Sequence, residues 1–533
     1  MTATTGCEKF LDINQNPNAF TAESVTPDVV LAQALTNTAA IYSGNTPSYN
    51  SYSSWAVGYW SKTNTVSGYG EEQTYNYGTS YYAGLFDNTY DNLNDYNIIQ
   101  TRGAANYPRH AAIARIMKAY GFLLLVDQYG DIPYTQALQG ASNVTPVYDK
   151  AQDIYKDLLV QLTGAIADIN AAPAGARSVG VEDVVFAGNM TKWKQFANSL
   201  KLRILLRESQ TGNSAIDSDV RAQLQALQTA PDGFITSDVV VQPGYAQNTG
   251  QQNPFFTRYG YTAAGTSATE RNYQVPTQFI LDQYTTNNDP RVSQLYTMGA
   301  RVIAGVNTPG YVGAVLGEAN PPTTGTATAS TRQASRFRGA ETTSPGAATA
   351  GGIFKGVSAP TPLMLLSEHL FNKAEVETRN LFTGDAKQDF LNGIKASFIY
   401  FYRAGTTSLA AINSSTLATT TSATPGVTQY DTYIAANTAN PLVNYDIATT
   451  NGALGKQAAI IFQKYLALNS VASTEAWDDF RRTGLPRIPL PVTAAQGKFP
   501  TRLLYPLSEA STNSGNVPAG VTQYTKIFWD VVD

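Results

Sequence analysis

Cysteine is all but absent: Cys7 is the only one in 533 residues, so no internal disulfide can form. Histidine is nearly as scarce, with His110 and His369 the only two. No H-E-x-x-H, C-x-x-C or G-x-S-x-G occurs, which leaves zinc, redox and nucleophile-elbow chemistry without the residues they use. Gly452-Ala453-Leu454-Gly455-Lys456-Gln457 lacks both the spacing and the Ser/Thr of a phosphate-binding loop. Charge is sparse as well: 36 Lys and Arg against 40 Asp and Glu give 36 − 40 = −4, with 14% charged residues. So weak a negative balance offers no basic field to a phosphate backbone, and nucleic acid is excluded as a partner. No purely apolar stretch is longer than residues 122–126, far short of the about 20 residues that cross a bilayer as a helix.

What is present is helical period. Pro27 suits the first turn of a helix that begins near residue 26. Ile113, Met117, Tyr120 and Leu124 recur at steps of 4, 3 and 4, and Ile154, Leu158, Leu162, Ile166 and Ile169 form a second stripe. Trp193, Phe196, Leu200 and Ile204 form a third. These read as amphipathic helices seeking partners. Helical pattern returns over 362–381, 385–402 and 454–482, after which Pro486, Pro489 and Pro491 forbid more. Between lie segments read as loops with minor strands: 49–108, 233–350 and 403–453. Helix pairs of this length suit a helix-turn-helix solenoid, whose repeat is about 34 residues. The expected fold is mainly α, an α-solenoid carrying long loop-rich insertions, with residues 1–18 as a tether and 19–533 as one domain.

Aromatics are unevenly placed. Ten of the 32 tyrosines fall in residues 49–96, with Lys62 the only basic residue there. Flat rings among Asn, Gln, Ser and Gly are the materials of sugar recognition, in which the ring takes the C–H face of a pyranose and amides take its hydroxyls. Trp55, Trp60, Tyr69, Tyr75 and Tyr77 are therefore candidate platforms in an exposed loop, although rings in such a segment also serve simply to pack loops onto helices. Tyr259, Tyr261 and Tyr273, near Phe255, Phe256, Arg258, Arg271 and Asn272, form a second group with the same two readings. Asp87, Asp91 and Asp95 recur every four residues, a solvated helix face that fails the ligand spacing of an EF-hand. Arg481 and Arg482, beside Trp477, Asp478 and Asp479, read as closing a helix end. Glu71-Glu72 is the place to look for a glycosidase carboxylate pair, whose separation is spatial and invisible in sequence.

Cys7 follows Thr4-Thr5-Gly6, small residues of the kind that precede the acylated cysteine of a bacterial lipoprotein. Met1 then reads as a start placed on a mature-like chain. The plainer reading is a free thiol near a frayed terminus.

Several segments taken together resemble one family. Residues 7–14 (CEKFLDIN) with Asn16-Pro17-Asn18, the turn Asp127-Gln128-Tyr129-Gly130-Asp131-Ile132-Pro133-Tyr134, and the run from Trp193 to Lys201 look like SusD/RagB outer-membrane lipoproteins. So do Ser367-Glu368, Ala374-Glu375, residues 393–398, Gln463-Lys464-Tyr465, Glu475-Ala476-Trp477 with Arg481-Arg482-Thr483-Gly484, and Arg502-Leu503-Leu504-Tyr505-Pro506, in the branch called SusD-like. The resemblance runs from about residue 7 to residue 530. It implies a TPR-like helical fold, a lipid on Cys7, location at the outer membrane facing outward, and docking as a lid on a SusC-like TonB-dependent transporter. It implies capture of oligosaccharide for import without catalysis, cofactor or metal, with ligand loops drawn from both aromatic regions. Thr4 departs from the usual lipid-attachment motif, and Ser367-Glu368-His369 departs from a more acidic, Ala-rich helix. Peptide or another nutrient as ligand, a glycan-degrading enzyme, and a protein-contact scaffold are the alternatives.

Overall fold

Pro27 does open a helix, α1 (Pro27–Ser43), in the computed structural model of the chain, which describes residues 25–44, 47–103, 105–339, 352–404 and 412–532. Cys7 and the tether lie outside the described residues. After α1 come α2 (Tyr49–Ala56), α3 (Gly70–Thr74), α4 (Gly84–Gly103), α5 (Pro108–Tyr129), α6 (Ala151–Ala171), α7 (Met190–Arg207) and α8 (Ser214–Leu227). Each of α5 to α8 packs on the one before it, the side-by-side stacking of a solenoid. Short helices α9 (Pro254–Tyr259), α10 (Gln278–Thr285) and α11 (Val292–Leu295) follow. The C-terminal half holds α12 (Leu366–Thr378), α13 (Ala386–Tyr402), α14 (Val427–Ala436), α15 (Lys456–Leu468), α16 (Ser473–Thr483) and α17 (Leu507–Thr512).

Strands are few and short, and all pair antiparallel. β1 (Trp60–Lys62) pairs β5 (Gln274–Pro276), β2 (Ile132–Pro133) pairs β3 (Tyr148–Asp149), β4 (Val239–Val241) pairs β8 (Thr361–Met364), and β6 (Gly299–Ile303) pairs β7 (Val306–Gly310). The fold is mainly α and TPR-like. No helix among the described residues is long and apolar enough to cross a membrane.

The second and third stripes do what their period implies. Ile154, Leu158, Leu162 and Ile169 are buried on α6 with Ile166 partly so, and Trp193, Phe196, Leu200 and Ile204 are buried on α7. Asn189 caps α7, its side chain accepting from the Lys192 N–H at 3.1 Å. Helix α5 departs from expectation. It is buried almost all round, from His110 to Tyr129 with few gaps, because α1, α4, α6 and α7 all pack on it. A helix enclosed in this way keeps only a narrow polar strip, at Arg115 and Lys118, so its stripe understated its burial.

Three expectations, one of a loop and two of helices, are corrected. Residues 49–108 carry α2, α3, α4, β1 and the start of α5 rather than an open loop. Ser48 and Ser51 form a capping box at the start of α2. Residues 361–364 form β8, and the helix expected from 362 begins at Leu366. The segment 454–482 is two helices, α15 and α16, separated at Asn469, where ψ leaves the helical region. Asp87 and Asp91 face solvent on α4 and Asp95 is half-buried, as an acidic helix face requires.

Candidate functional site

The two aromatic groups do meet, but as packed interior. β1 lies against β5, which brings Trp60 onto Tyr259 (ring centroids 5.0 Å) and Phe255 (6.3 Å). Trp55 and Trp60 are fully buried, and Tyr75, Tyr77, Tyr259 and Tyr261 are all under 5% exposed. Trp60 Nε1 donates to Ser470 Oγ at 2.7 Å, and Tyr75 OH donates to the Ala56 carbonyl at 3.0 Å. The expectation that these six rings are open platforms is thus corrected. A ring whose faces are covered by other rings has nothing to offer a pyranose, and burying it stabilises the fold more than exposing it to a ligand.

Tyr69 and Tyr273 remain partly exposed. Tyr69 stacks on Trp55 at 4.8 Å and donates its hydroxyl to Glu270 Oε2. Its backbone is left-handed at φ +67°, a conformation uncommon outside glycine, and the stack and the hydroxyl bond together hold it there.

What these rings support is a cleft of 740 Å³ on their outer side. One wall is α1, through Gln33, Thr36, Asn37 and Ala40. The other is 245–270, through Tyr245, Gln252, Thr257, Arg258, Thr262, Thr269 and Glu270. The walls close up where Gly44 ends α1, since a Cβ on Gly44 would meet the Pro254 backbone at 2.3 Å. Asn253 caps α9, accepting from the Phe256 N–H at 2.9 Å, and so aims Thr257 and Arg258 into the cleft.

Charge in the cleft is paired and braced. Arg258 Nη2 donates to Glu270 Oε1 at 3.2 Å, while Arg258 Nε donates to Tyr259 OH at 3.1 Å. Glu270 Oε2 takes Tyr69 and also Gln274 Nε2 at 3.0 Å. Gln33 Nε2 donates to Asn37 Oδ1 at 2.8 Å, which leaves the Gln33 carbonyl for a ligand, while the Asn37 side chain also bonds Asp95 of α4. Such a surface, rich in amides and hydroxyls with one fixed ion pair, can hold several hydroxyl groups at once. Tyr245 is its one ring among the lining residues. Nothing in the sequence marks α1 as a wall of the site, since its Gln33 and Asn37 lie four apart on a face with no aromatic marker.

Chemistry finds less here. Glu72, on α3, is 5% exposed, and burial, together with the Glu71 charge, pushes its carboxyl up to about 7. Below about pH 4.5 both folded and unfolded chains hold this proton; above 7 the folded chain must bury an anion. The folded state therefore loses stability through this group as pH rises from 4.5 to 7, by about 3 kcal/mol at most. Glu72→Gln is expected to melt higher than the unsubstituted chain at pH 8 and level with it at pH 4, measured by thermal denaturation. Equal melting at both pH values would count against a buried, proton-holding Glu72. Among the described residues no group of three or more His, Cys, Asp or Glu is placed to hold a metal.

A family model described as "Starch-binding associating with outer membrane" matches residues 17–506. The chain belongs to the SusD-like family. Solved SusD-like structures share its fold. A chitin-binding protein superposes with a TM-score of 0.69 at 23% identity, covering 95% of this chain and 100% of its own. A SusD/RagB family protein from Bacteroides thetaiotaomicron gives 0.68 at 22%, covering 96% and 100%. A SusD homologue from Bacteroides fragilis gives 0.66 at 21%, covering 95% and 99%. No curated protein sequence matches the chain.

Proposed function

We propose that this SusD-like chain is a surface-exposed outer-membrane lipoprotein that captures oligosaccharide and passes it to a SusC-like TonB-dependent transporter. Membership of a family described as starch-binding, and the fold shared with a chitin-binding protein, support the ligand class. Anchoring through Cys7 and residues 1–18 rests on the sequence resemblance. The protein binds its ligand and releases it unchanged.

The observation that carries the reading is the 740 Å³ cleft between α1 and 245–270, within the range of about 300–1,000 Å³ typical of ligand sites. Its amides and its neutralised Arg258–Glu270 pair suit a neutral glycan better than a phosphorylated one. Tyr69 and Tyr273 flank this region, Tyr69 acting on the ligand through Glu270.

Titration of the purified chain against neutral glycans should give binding in the range of about 1 μM to 1 mM, weakly dependent on salt. Tight binding would stall release into a channel, because affinity is set mostly by dissociation. Gln33→Ala with Asn37→Ala should weaken the glycan by about tenfold or more without loss of melting temperature, since both lie on a helix and alanine is the best helix former. Binding that is undiminished in this variant would place the ligand elsewhere, and turnover of the glycan would contradict the reading.

A further inference from the structure

A second cleft, of 370 Å³, opens between α4, α5, α6 and the turn after β2, and shares no residue with the first. Lys118 and Arg115 project into it from one face of α5, three residues apart. Lys118 Nζ donates to Asn97 Oδ1 at 3.0 Å and Gln100 Oε1 at 3.1 Å, both neutral amides of α4. Among the described residues no carboxylate pairs with Lys118, and an ammonium has a third N–H to give. Arg115 is fixed instead. Its Nε donates to Gln161 Oε1 at 2.8 Å and its Nη1 to Asp168 Oδ2 at 2.9 Å. The guanidinium lies so close to α6 that a Cβ on Gly164 would meet its nitrogens at 2.3 Å.

One wall is apolar. Phe122 and Tyr134 meet edge to face at 4.7 Å, and Tyr134 is partly exposed. Asp157, the acid within the cleft, accepts from Tyr134 OH at 2.5 Å and from Gln161 Nε2 at 2.9 Å through one oxygen, Oδ2. It is thus tied to the wall rather than to Lys118. Burial and the neighbouring Arg115 charge pull the Lys118 pKa down to about 8, which is the mark of a cation that has not been given its counterion.

We propose that this cleft is a second ligand site and that it takes an acidic sugar. The sugar's carboxylate pairs with Lys118, its hydroxyls with Gln100, Gln161 and Thr135, and its C–H face with the Tyr134 edge of the wall. A carboxylate here supplies the charge that α4 and α5 leave uncompensated, and a charge-assisted bond away from bulk water is the strong kind. The size suits one or two sugar units rather than a long chain. This site is independent of the neutral-glycan cleft and allows the chain to hold a mixed, partly acidic glycan at two points.

The test is titration with a galacturonate oligomer and with the same oligomer methyl-esterified at its carboxyls. The acid should bind and the ester should bind about tenfold or more weaker. Lys118→Gln and Lys118→Met should both lose the acid's advantage while melting normally. The Gln33→Ala and Asn37→Ala double variant should keep it, which separates failure here from failure of the first cleft. The acid's advantage should also shrink between 50 mM and 500 mM salt, as a paired charge requires. Equal binding of acid and ester, no effect of either Lys118 substitution, or no binding of the acid at about 10 mM would each overturn the proposal. Equally tight, Lys118-dependent binding of a glutamate-rich peptide would overturn its assignment to a sugar.

Discussion

Arg207→Met is expected to destabilise the chain by about 3–5 kcal/mol, the usual effect of removing one partner from a buried ion pair. Arg207 ends α7 and is 5% exposed. Its guanidinium contacts Asp127 of α5, and reaches Glu475 at 2.5 Å and Asp478 at 3.0 Å on α16. Three helices from both halves of the chain are therefore joined at one cation. Arg203 adds Glu368 of α12 at 2.8 Å and Glu475 at 3.2 Å, and Arg481 adds Asp478. Burial holds the Asp127 carboxyl above its ordinary range, and the four carboxylates of this network outnumber its three arginines. Loss of Arg207 leaves Asp127, Glu475 and Asp478 with less compensation in a site that water does not reach. Urea denaturation measures the effect. Asp127→Asn added to Arg207→Met should recover part of the loss, because it removes one of the orphaned charges. A single variant as stable as the parent would show that the network is solvated in solution.

Trp193→Ala is expected to cost a similar amount, about 3–5 kcal/mol, by leaving a cavity that the surroundings fill only in part. Trp193 is fully buried on α7, with Phe186 edge-on at 5.0 Å and Phe196 at 6.1 Å. Its Nε1 donates to Asp183 Oδ2 at 2.8 Å. The same carboxylate accepts the N–H groups of Val185, Phe186 and Gly188, so the indole also braces the turn that leads into α7. Neither cleft contains Trp193. The variant should therefore unfold at lower urea while its folded fraction binds glycan normally. Unchanged stability with lost binding would reverse the division between scaffold and site.

The stripes on α6 and α7 were legible because each helix keeps one face in water, which gives the sequence a contrast to read. Helix α2 has no such contrast. All eight of its residues are buried, including Asn50, Ser53 and Ser54, and these three find partners more than 400 positions away. Asn50 Nδ2 donates to the Ser470 carbonyl at 2.8 Å, and Asn50 Oδ1 accepts from the Ser473 N–H at 3.0 Å. A run of Tyr, Ser and Asn reads as an exposed loop only when such partners are unknown. Arg481 and Arg482 show the same limit. Their short-range contacts to Asp478 and Asp479 were legible in the spacing, whereas the reach of Arg482 to Glu375 at 2.6 Å and of Arg481 to the Thr501 carbonyl at 2.8 Å depends on the tertiary fold. The aromatic signal was real but marked the floor beneath the cleft. The cleft's own polar residues come from segments some 200 positions apart, and none carries a local motif.

Hydrogen exchange of the purified chain with and without a neutral glycan that it binds tests the central claim, that the ligand occupies the polar cleft outside the buried rings. The account predicts added protection in the loops at 245–253 and 260–272 and at the C-terminal turn of α1, with 49–60 unchanged because it is already buried. Protection that appears in 49–77, with none at 245–272, would contradict it and return recognition to the aromatic segment.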